Sequence, residues 1–281
     1  MRIGAHVPTH GGLMGAIESA RTCGAGAAQI WGSNPRAWAH PNVPLDRAEE
    51  FRSAWAEADI GPLFLHAPYM VNVASPNADF RRRSVGLARA TVELADSIGA
   101  RGVVVHAGAG GVATDRPRAV EAAAASLLAI AESAVTTAVL IELTAGGAGS
   151  VASTVPEARE LFDAAGNHRS LGLCLDTCHL FATGYALDAD EGVRECFAEL
   201  RSKRLAGRFL LLHANDSAYP RGQRRDSHEH IGQGHIGERG FAAILSQPPM
   251  RRAAVVCETP GRLEYHARNI ATLKRLAAGR L

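Results

Sequence analysis

A chain of 281 residues with 47% hydrophobic side chains can bury a sizeable core, which excludes a disordered tail or a small disulfide-stapled scaffold. Its net charge of +2 neither demands nor forbids a polyanionic partner, because bound divalent ions would add their charge in one place. The longest apolar stretches, such as 122–130, fall well short of the roughly 20 residues of a membrane span.

Met1-Arg2 leads directly into Ile3-Gly4-Ala5-His6 without an apolar leader region, so a cytoplasmic chain is expected. Cys23, Cys174, Cys178, Cys196 and Cys257 are odd in number and scattered, which points to reduced, buried thiols. Cys174 and Cys178-His179 hint at a zinc knuckle, but no second cysteine pair stands at finger spacing. Of the 30 basic residues only Lys203 and Lys274 are lysines. The arginines suit phosphate through their planar fork, although a biased base composition would give the same pattern.

In chain order, strand-like runs fall at 2–7, 27–31, 62–66, 102–106, 138–142, 171–176, 209–215 and 253–258. Helical patterns alternate with them at 11–24, 45–59, 78–99, 116–136, 154–167, 189–204, 237–247 and 262–279. Asp79, Thr154 and Asp188 read as N-cap residues. Gly102-Val-Val-Val-His106 and Phe209-Leu-Leu-Leu-His213 are continuous apolar runs, as expected of parallel strands buried on both faces. Eight β-then-α units fit a (β/α)8 TIM barrel better than an open doubly wound sheet. With no linker composition in between, residues 1–281 are expected to form a single domain. The polar, Gly-rich stretch 217–237 reads as a long functional loop after the seventh strand.

Six of the eight strands carry a metal-capable side chain at or near their C-terminal end: His66, His106, Glu142, Asp176, His213 and Glu258. In a (β/α)8 barrel these ends converge on one mouth. Burying so many ionisable groups together costs several kcal/mol each unless cations offset it. A cluster of two or more divalent ions is the simplest explanation. His179, three residues past Asp176, can face the same mouth, as can Asp226 and His228, which point to one side in extended chain. Mixed imidazole and carboxylate ligation suits Zn²⁺ and also accepts Mn²⁺ or Fe²⁺.

Other features carry less. Gly108, Gly110, Gly111, Gly146, Gly147 and Gly149 match neither a dinucleotide fingerprint nor a P-loop, and read as sites of close backbone approach at the mouth. Arg81-Arg82-Arg83 reads as a solvated helix face, and the 221–225 arginines as either solvated or touching phosphate. Cys178 beside His179 does not by adjacency make an activated nucleophile.

The sequence resembles the endonuclease IV (deoxyribonuclease IV) family of metal-dependent apurinic/apyrimidinic endonucleases nearly end to end. The segments that carry the resemblance are Ile3-Gly-Ala-His-Val7, Gln29-Ile-Trp-x-x-Asn-Pro-Arg36-x-Trp38, His66-Ala-Pro-Tyr69-x-Val-Asn72, Val104-Val-His106, Glu142-x-Thr-Ala-Gly146, Cys174-Leu-Asp-Thr-Cys-His-Leu-Phe181-Ala-x-Gly184-Tyr185, Leu212-His-x-Asn-Asp-Ser217, Asp226-x-His228-x-x-Ile-Gly232-x-Gly234 and Glu258-Thr-Pro260. The resemblance implies a trinuclear zinc site: His66, His106 and Glu142 on the first ion, and Glu142, Asp176, His213 and Glu258 on the second. His179, Asp226 and His228 would hold the third. It further implies that Glu142 and Glu258 are the catalytic carboxylates, Glu142 bridging two ions and Glu258 orienting the attacking hydroxide. Arg36 and Tyr69 would enter the minor groove of damaged double-stranded DNA. No nucleotide cofactor and no membrane are expected, and the chain should act as a monomer. The sequence departs from the family at Leu143, at Gly147-Ala148, at Ala107 and Ala109, at Ser227 and at Ala37. None of these removes a ligand. Two other readings stand beside this one: a sugar isomerase or epimerase on the same kind of barrel, and a DNA-binding or metal-storing protein without catalysis.

Overall fold

Apolar, β-branched runs favour strands buried on both faces, and the Ala-rich amphipathic stretches between them favour helices that cover those strands. The computed structural model describes residues 1–280. It runs β1 Ile3–His6, α1 Leu13–Thr22, β2 Ala28–Trp31, α2 Leu45–Glu57, β3 Leu63–His66, α3 Ala78–Ile98, β4 Gly102–His106, α4 Arg116–Ala131, β5 Ala138–Glu142 and α5 Val155–Ala164. It continues β6 Leu171–Asp176, α6 Thr177–Thr183, α7 Asp190–Ser202, β7 Phe209–His213, β8 Asp216–Ser217, β9 His228–Glu229, α8 Gly237–Leu245, β10 Ala254–Cys257 and α9 Leu263–Ala277. The eight longer strands close into an all-parallel barrel in the order β1, β10, β7, β6, β5, β4, β3, β2. This is the TIM barrel that the alternating pattern predicts. Among the described residues no helix is long and apolar enough to cross a membrane.

The barrel interior has two levels, and the two-residue period of a strand sets them. The lower level is a separate buried apolar cluster that includes Phe64, Val104, Leu140, Cys174, Leu211 and Val256, one from each of six strands. Two residues further along each of those strands stand His66, His106, Glu142, Asp176, His213 and Glu258. The polar mouth is thus the same face of the same strands as the apolar plug, one pleat higher. Gly4 lets β1 close the barrel, since a Cβ there would lie 1.6 Å from the Ala27 carbonyl oxygen. The larger core lies between strands and helices, with Phe51, Phe162, Phe181 and Phe241 fully buried.

Local detail corrects several expectations. Thr154 caps α5 in a reciprocal capping box with Glu157. The cap of α3 is Asn77, which accepts from the Asp79 and Phe80 amides, so Asp79 lies inside the first turn. Ala189 precedes α7 without a side-chain cap; Asp188 instead pairs with Arg221 at 3.1 Å. α6, directly after β6, and the β8–β9 pair inside the 217–237 loop are both too short to show a period in the sequence. All five cysteines are free and buried.

Asp96 shows how a connection is held. Its carboxylate accepts the main-chain N–H groups of Val135, Thr136 and Thr137 at 2.8–2.9 Å, and so fastens the α4–β5 turn to α3. Burial opposes the charge, but those donors outweigh it and hold the carboxyl below its ordinary range. Its stabilising effect is therefore present above the unfolded pKa near 4 and lost as the pH falls through the lower folded value. Asp96→Asn should cost about 1 kcal/mol at pH 7, discounted for partial exposure. Urea unfolding at pH 7 and pH 3 should show that cost shrinking in acid.

Candidate metal centre

The mouth gathers nine side chains into three sets, within each of which the potential ligand atoms lie within 4.8 Å of one another. The sets are His66, His106 and Glu142; Glu142, Asp176, His213 and Glu258; and His179, Asp226 and His228. These are the three groupings that the family resemblance implies. A fourth combination, Asp176, Cys178 and His228, meets the same distance limit, but burial pushes the Cys178 thiol up to about 12. That thiol is neither a ready nucleophile nor a ready ligand at neutral pH.

Glu142 stands at the centre with 1% of its surface exposed. One carboxylate oxygen lies 3.1 Å from His66 Nε2 and 3.2 Å from His106 Nε2, and the other 3.0 Å from His213 Nδ1. Burial alone would raise its pKa; His213 and His106 hold it well below the usual carboxylate range. In the third set, burial disfavours charge on His179, yet Asp176, Asp226 and Glu142 push the imidazole up to about 10. The geometry therefore concentrates negative potential where a cation would sit.

The imidazoles are oriented from behind. His66 Nδ1 lies 2.6 Å from the Ala67 carbonyl, His179 Nδ1 2.8 Å from that of Leu143, and His228 Nδ1 3.1 Å from that of Glu258. A carbonyl oxygen only accepts, so each of these nitrogens carries a hydrogen and leaves Nε2 facing the mouth. The departure at Leu143 is accommodated here: the contact to His179 comes from the main chain, which any side chain at 143 supplies. The Nε2 atoms of His179 and His228 are buried and without a hydrogen-bond partner. Each nonetheless lies 3.2 Å from an Asp226 oxygen. Ligand atoms that converge without bonding to one another fit a shared cation.

The long loop reaches this position through Asp216. That fully buried carboxylate accepts five main-chain N–H groups, from Ser217, Gly232, Gly234, Ile236 and Gly237. The β8–β9 pairing sets Ser217 opposite His228. The Gly222 and Arg224 amides dock on the Phe181 and Ala182 carbonyls of α6 at 3.0 and 2.9 Å. Arg225 lies over the Tyr219 ring at 4.0 Å and Arg221 is tied to Asp188, so these two arginines brace the loop. Gly149, at φ +76°, lets the loops after β4 and β5 touch at the mouth; a Cβ there would meet the Gly111 backbone at 2.6 Å.

Arg36 and Tyr69 lie on the loops after β2 and β3. Arg36 is exposed; Tyr69 is 63% exposed and packs on Trp31 at 4.6 Å. Tyr69 lines a cavity of about 1350 Å³ that also exposes His66, Glu142, His179 and Glu258. Two polar residues that ligand spacing does not single out complete the mouth. Gln29 is fully buried between His213 and Glu258, and His6 lies 3.1 Å from Glu258. Their signal was the inward parity of β1 and β2, one pleat above Gly4 and Ala27.

Residues 17–276 match the family model described as xylose isomerase-like TIM barrel. The chain is 38% identical to a probable endonuclease 4 of Streptomyces coelicolor, covering 99% of this chain and 95% of that one. It is 35% identical to a probable endonuclease 4 of Methanoculleus marisnigri, over 98% of both. The crystal structure of endonuclease IV from Thermus thermophilus superposes with a TM-score of 0.87 at 30% identity, over 99% of this chain and all of that one. The chain belongs to the endonuclease IV family. A D-tagatose 3-epimerase-like protein, at 18% identity and a TM-score of 0.75, shares the barrel, and at that distance the likeness is one of fold alone.

Within this endonuclease IV family member, Asp216→Ala should cost about 3 kcal/mol or more, because several buried N–H groups lose a charged acceptor. Urea unfolding and limited trypsin digestion at Arg221–Arg225 would show it: lower stability and faster loop cleavage are expected. Unchanged digestion would contradict the role given to Asp216.

Proposed function

We propose that this chain is a DNA-repair endonuclease that hydrolyses the phosphodiester 5′ to an abasic site in duplex DNA, leaving a 3′-hydroxyl and a 5′-deoxyribose phosphate. The observation that carries the reading is the third ligand set, His179, Asp226 and His228, joined to the other two at one mouth. A sugar isomerase needs no third cation there. The family relationship supports the same reaction class.

His66, His106 and Glu142 would hold one ion, Glu142, Asp176, His213 and Glu258 a second, and His179, Asp226 and His228 a third, with Zn²⁺ the expected metal and Mn²⁺ or Fe²⁺ accepted at one or more positions. Bound there, such ions would lower the pKa of water toward neutrality and neutralise charge on the phosphate and the departing 3′ oxygen.

The remaining steps fall to the chain. Glu142 keeps its charge inside the barrel and ties two ligand sets together. Glu258, at the edge of the mouth with 17% of its side chain exposed, has one oxygen held by Gln29 and the other turned to the mouth 3.2 Å from His213 Nδ1, where it would also orient the attacking water. Arg36 and Tyr69 stand at the rim, where they would fill the gap left in the duplex as the abasic nucleotide rotates inward. That rotation is cheap, since no base is unstacked. The cavity beside Tyr69 is large enough for a sugar with its two phosphates.

Three outcomes are expected from a nicking assay on a duplex with one abasic analogue. The intact protein should cut 5′ to the lesion; chelator should abolish cutting, and zinc or manganese restore it. Glu142→Gln should lower turnover by several orders of magnitude. Tyr69→Ala, outside the ligand sets, should chiefly raise KM. Intact DNA in a sample shown to carry its metals would turn the reading to a sugar isomerase.

A further inference from the structure

We propose that Gln29 is a positioning residue, whose amide determines which nitrogen of His213 and which oxygen of Glu258 face the second candidate cation. The inference rests on the metal-dependent reading above and extends it to a residue outside the ligand sets.

Gln29 is fully buried on β2. Its Nε2 donates to Glu258 Oε1 at 2.6 Å and lies 3.0 Å from His6 Nδ1, while its Oε1 lies 2.9 Å from His213 Nε2. Glu258 decides the orientation of the amide. The flipped form would set the amide oxygen 2.6 Å from a carboxylate oxygen, two acceptors with no hydrogen between them. With the oxygen toward His213, that imidazole must carry its hydrogen on Nε2, because an amide oxygen only accepts. His213 Nδ1 lies 3.0 Å from Glu142 Oε1 and 3.2 Å from Glu258 Oε2, which are acceptors too, so a cation bound among the three would take the Nδ1 lone pair. The same amide occupies Glu258 Oε1 and leaves Oε2 for the mouth. One side chain therefore sets the donor atoms of two ligands in the same set.

His213 differs from its neighbours in this respect. His66, His179 and His228 give their second N–H to main-chain carbonyls, which no substitution removes. His213 gives its own to a side chain, so its orientation can be tested by mutation. His6 closes the other side of the amide: its ring packs on Trp31 at 4.7 Å, and its Nδ1 lies 3.1 Å from the same Glu258 oxygen.

Gln29→Met keeps the volume of the side chain and removes both hydrogen bonds. The zinc-loaded variant should lose roughly 10- to 100-fold in affinity for one ion in chelator competition, with the remaining ions held as in the parent. The visible spectrum of the cobalt-substituted protein should change, and kcat on an abasic duplex should fall while KM stays within about twofold. A folded variant with unchanged metal affinity and cobalt spectrum, and only a lower Tm, would overturn the proposal. Should Gln29→Met fail to fold, nitrogen-15 NMR of the zinc-loaded parent decides. A hydrogen on His213 Nε2 is expected, and one on Nδ1 overturns the inference. If the parent retains metal and Gln29→Met matches it, the inference about Gln29 fails alone. A parent that binds no zinc or cobalt overturns it together with the metal-dependent reading.

Discussion

Glu142 sits at the end of a strand with 1% of its surface exposed, and an ionised carboxyl in that position costs several kcal/mol unless positive charge reaches it. His66, His106 and His213 approach it within 3.2 Å, each from a different strand. The barrel makes that convergence possible, because closure brings the carboxyl ends of β3, β4, β5 and β7 round one axis. A flat sheet would keep His106 beside Glu142 on the adjacent strand but carry β3 and β7, each two strands away, to about 10 Å. The closed topology and the buried charge therefore depend on one another.

From this centre the arrangement extends outward in layers. Main-chain carbonyls of Ala67, Leu143 and Glu258 orient three imidazoles, and the Gln29 amide orients a fourth. Asp216, unconnected to any candidate cation, collects the amides of the long loop and so delivers Asp226 and His228 to the mouth. Backbone contacts of this kind explain how the chain departs from the family pattern at Leu143 while His179 keeps its hydrogen-bond acceptor. Arg36 and Tyr69, by contrast, stand on exposed loops where the solvent-facing surface would meet a large partner.

Much of this was legible in the sequence because strands buried on both faces leave few polar residues, and those at strand ends stand out. His106 after three valines and His213 after three leucines are conspicuous for that reason. The barrel followed from alternating periods, and the three ligand groupings from the family resemblance. What the residues concealed was local or non-repeating. α6 spans only Thr177–Thr183 and opens directly on Asp176, so its helical period never separates from the strand before it. The caps moved because the Asn77 side chain takes the Asp79 and Phe80 amides, and because Asp188 finds Arg221 across the fold. Gln29 has the inward parity of a site residue, but an uncharged amide in an apolar strand reads as an ordinary buried polar group. Only its partners, distant by 184 and 229 residues, give it a role.

Whether one mouth holds three cations is tested most directly by counting them. Elemental analysis of the purified protein loaded with zinc should give three ions per chain, falling to two in His179→Ala with the other two retained. Two ions per chain in the parent, unchanged by His179→Ala, would contradict the three-cation site and with it the distinction from the sugar isomerases.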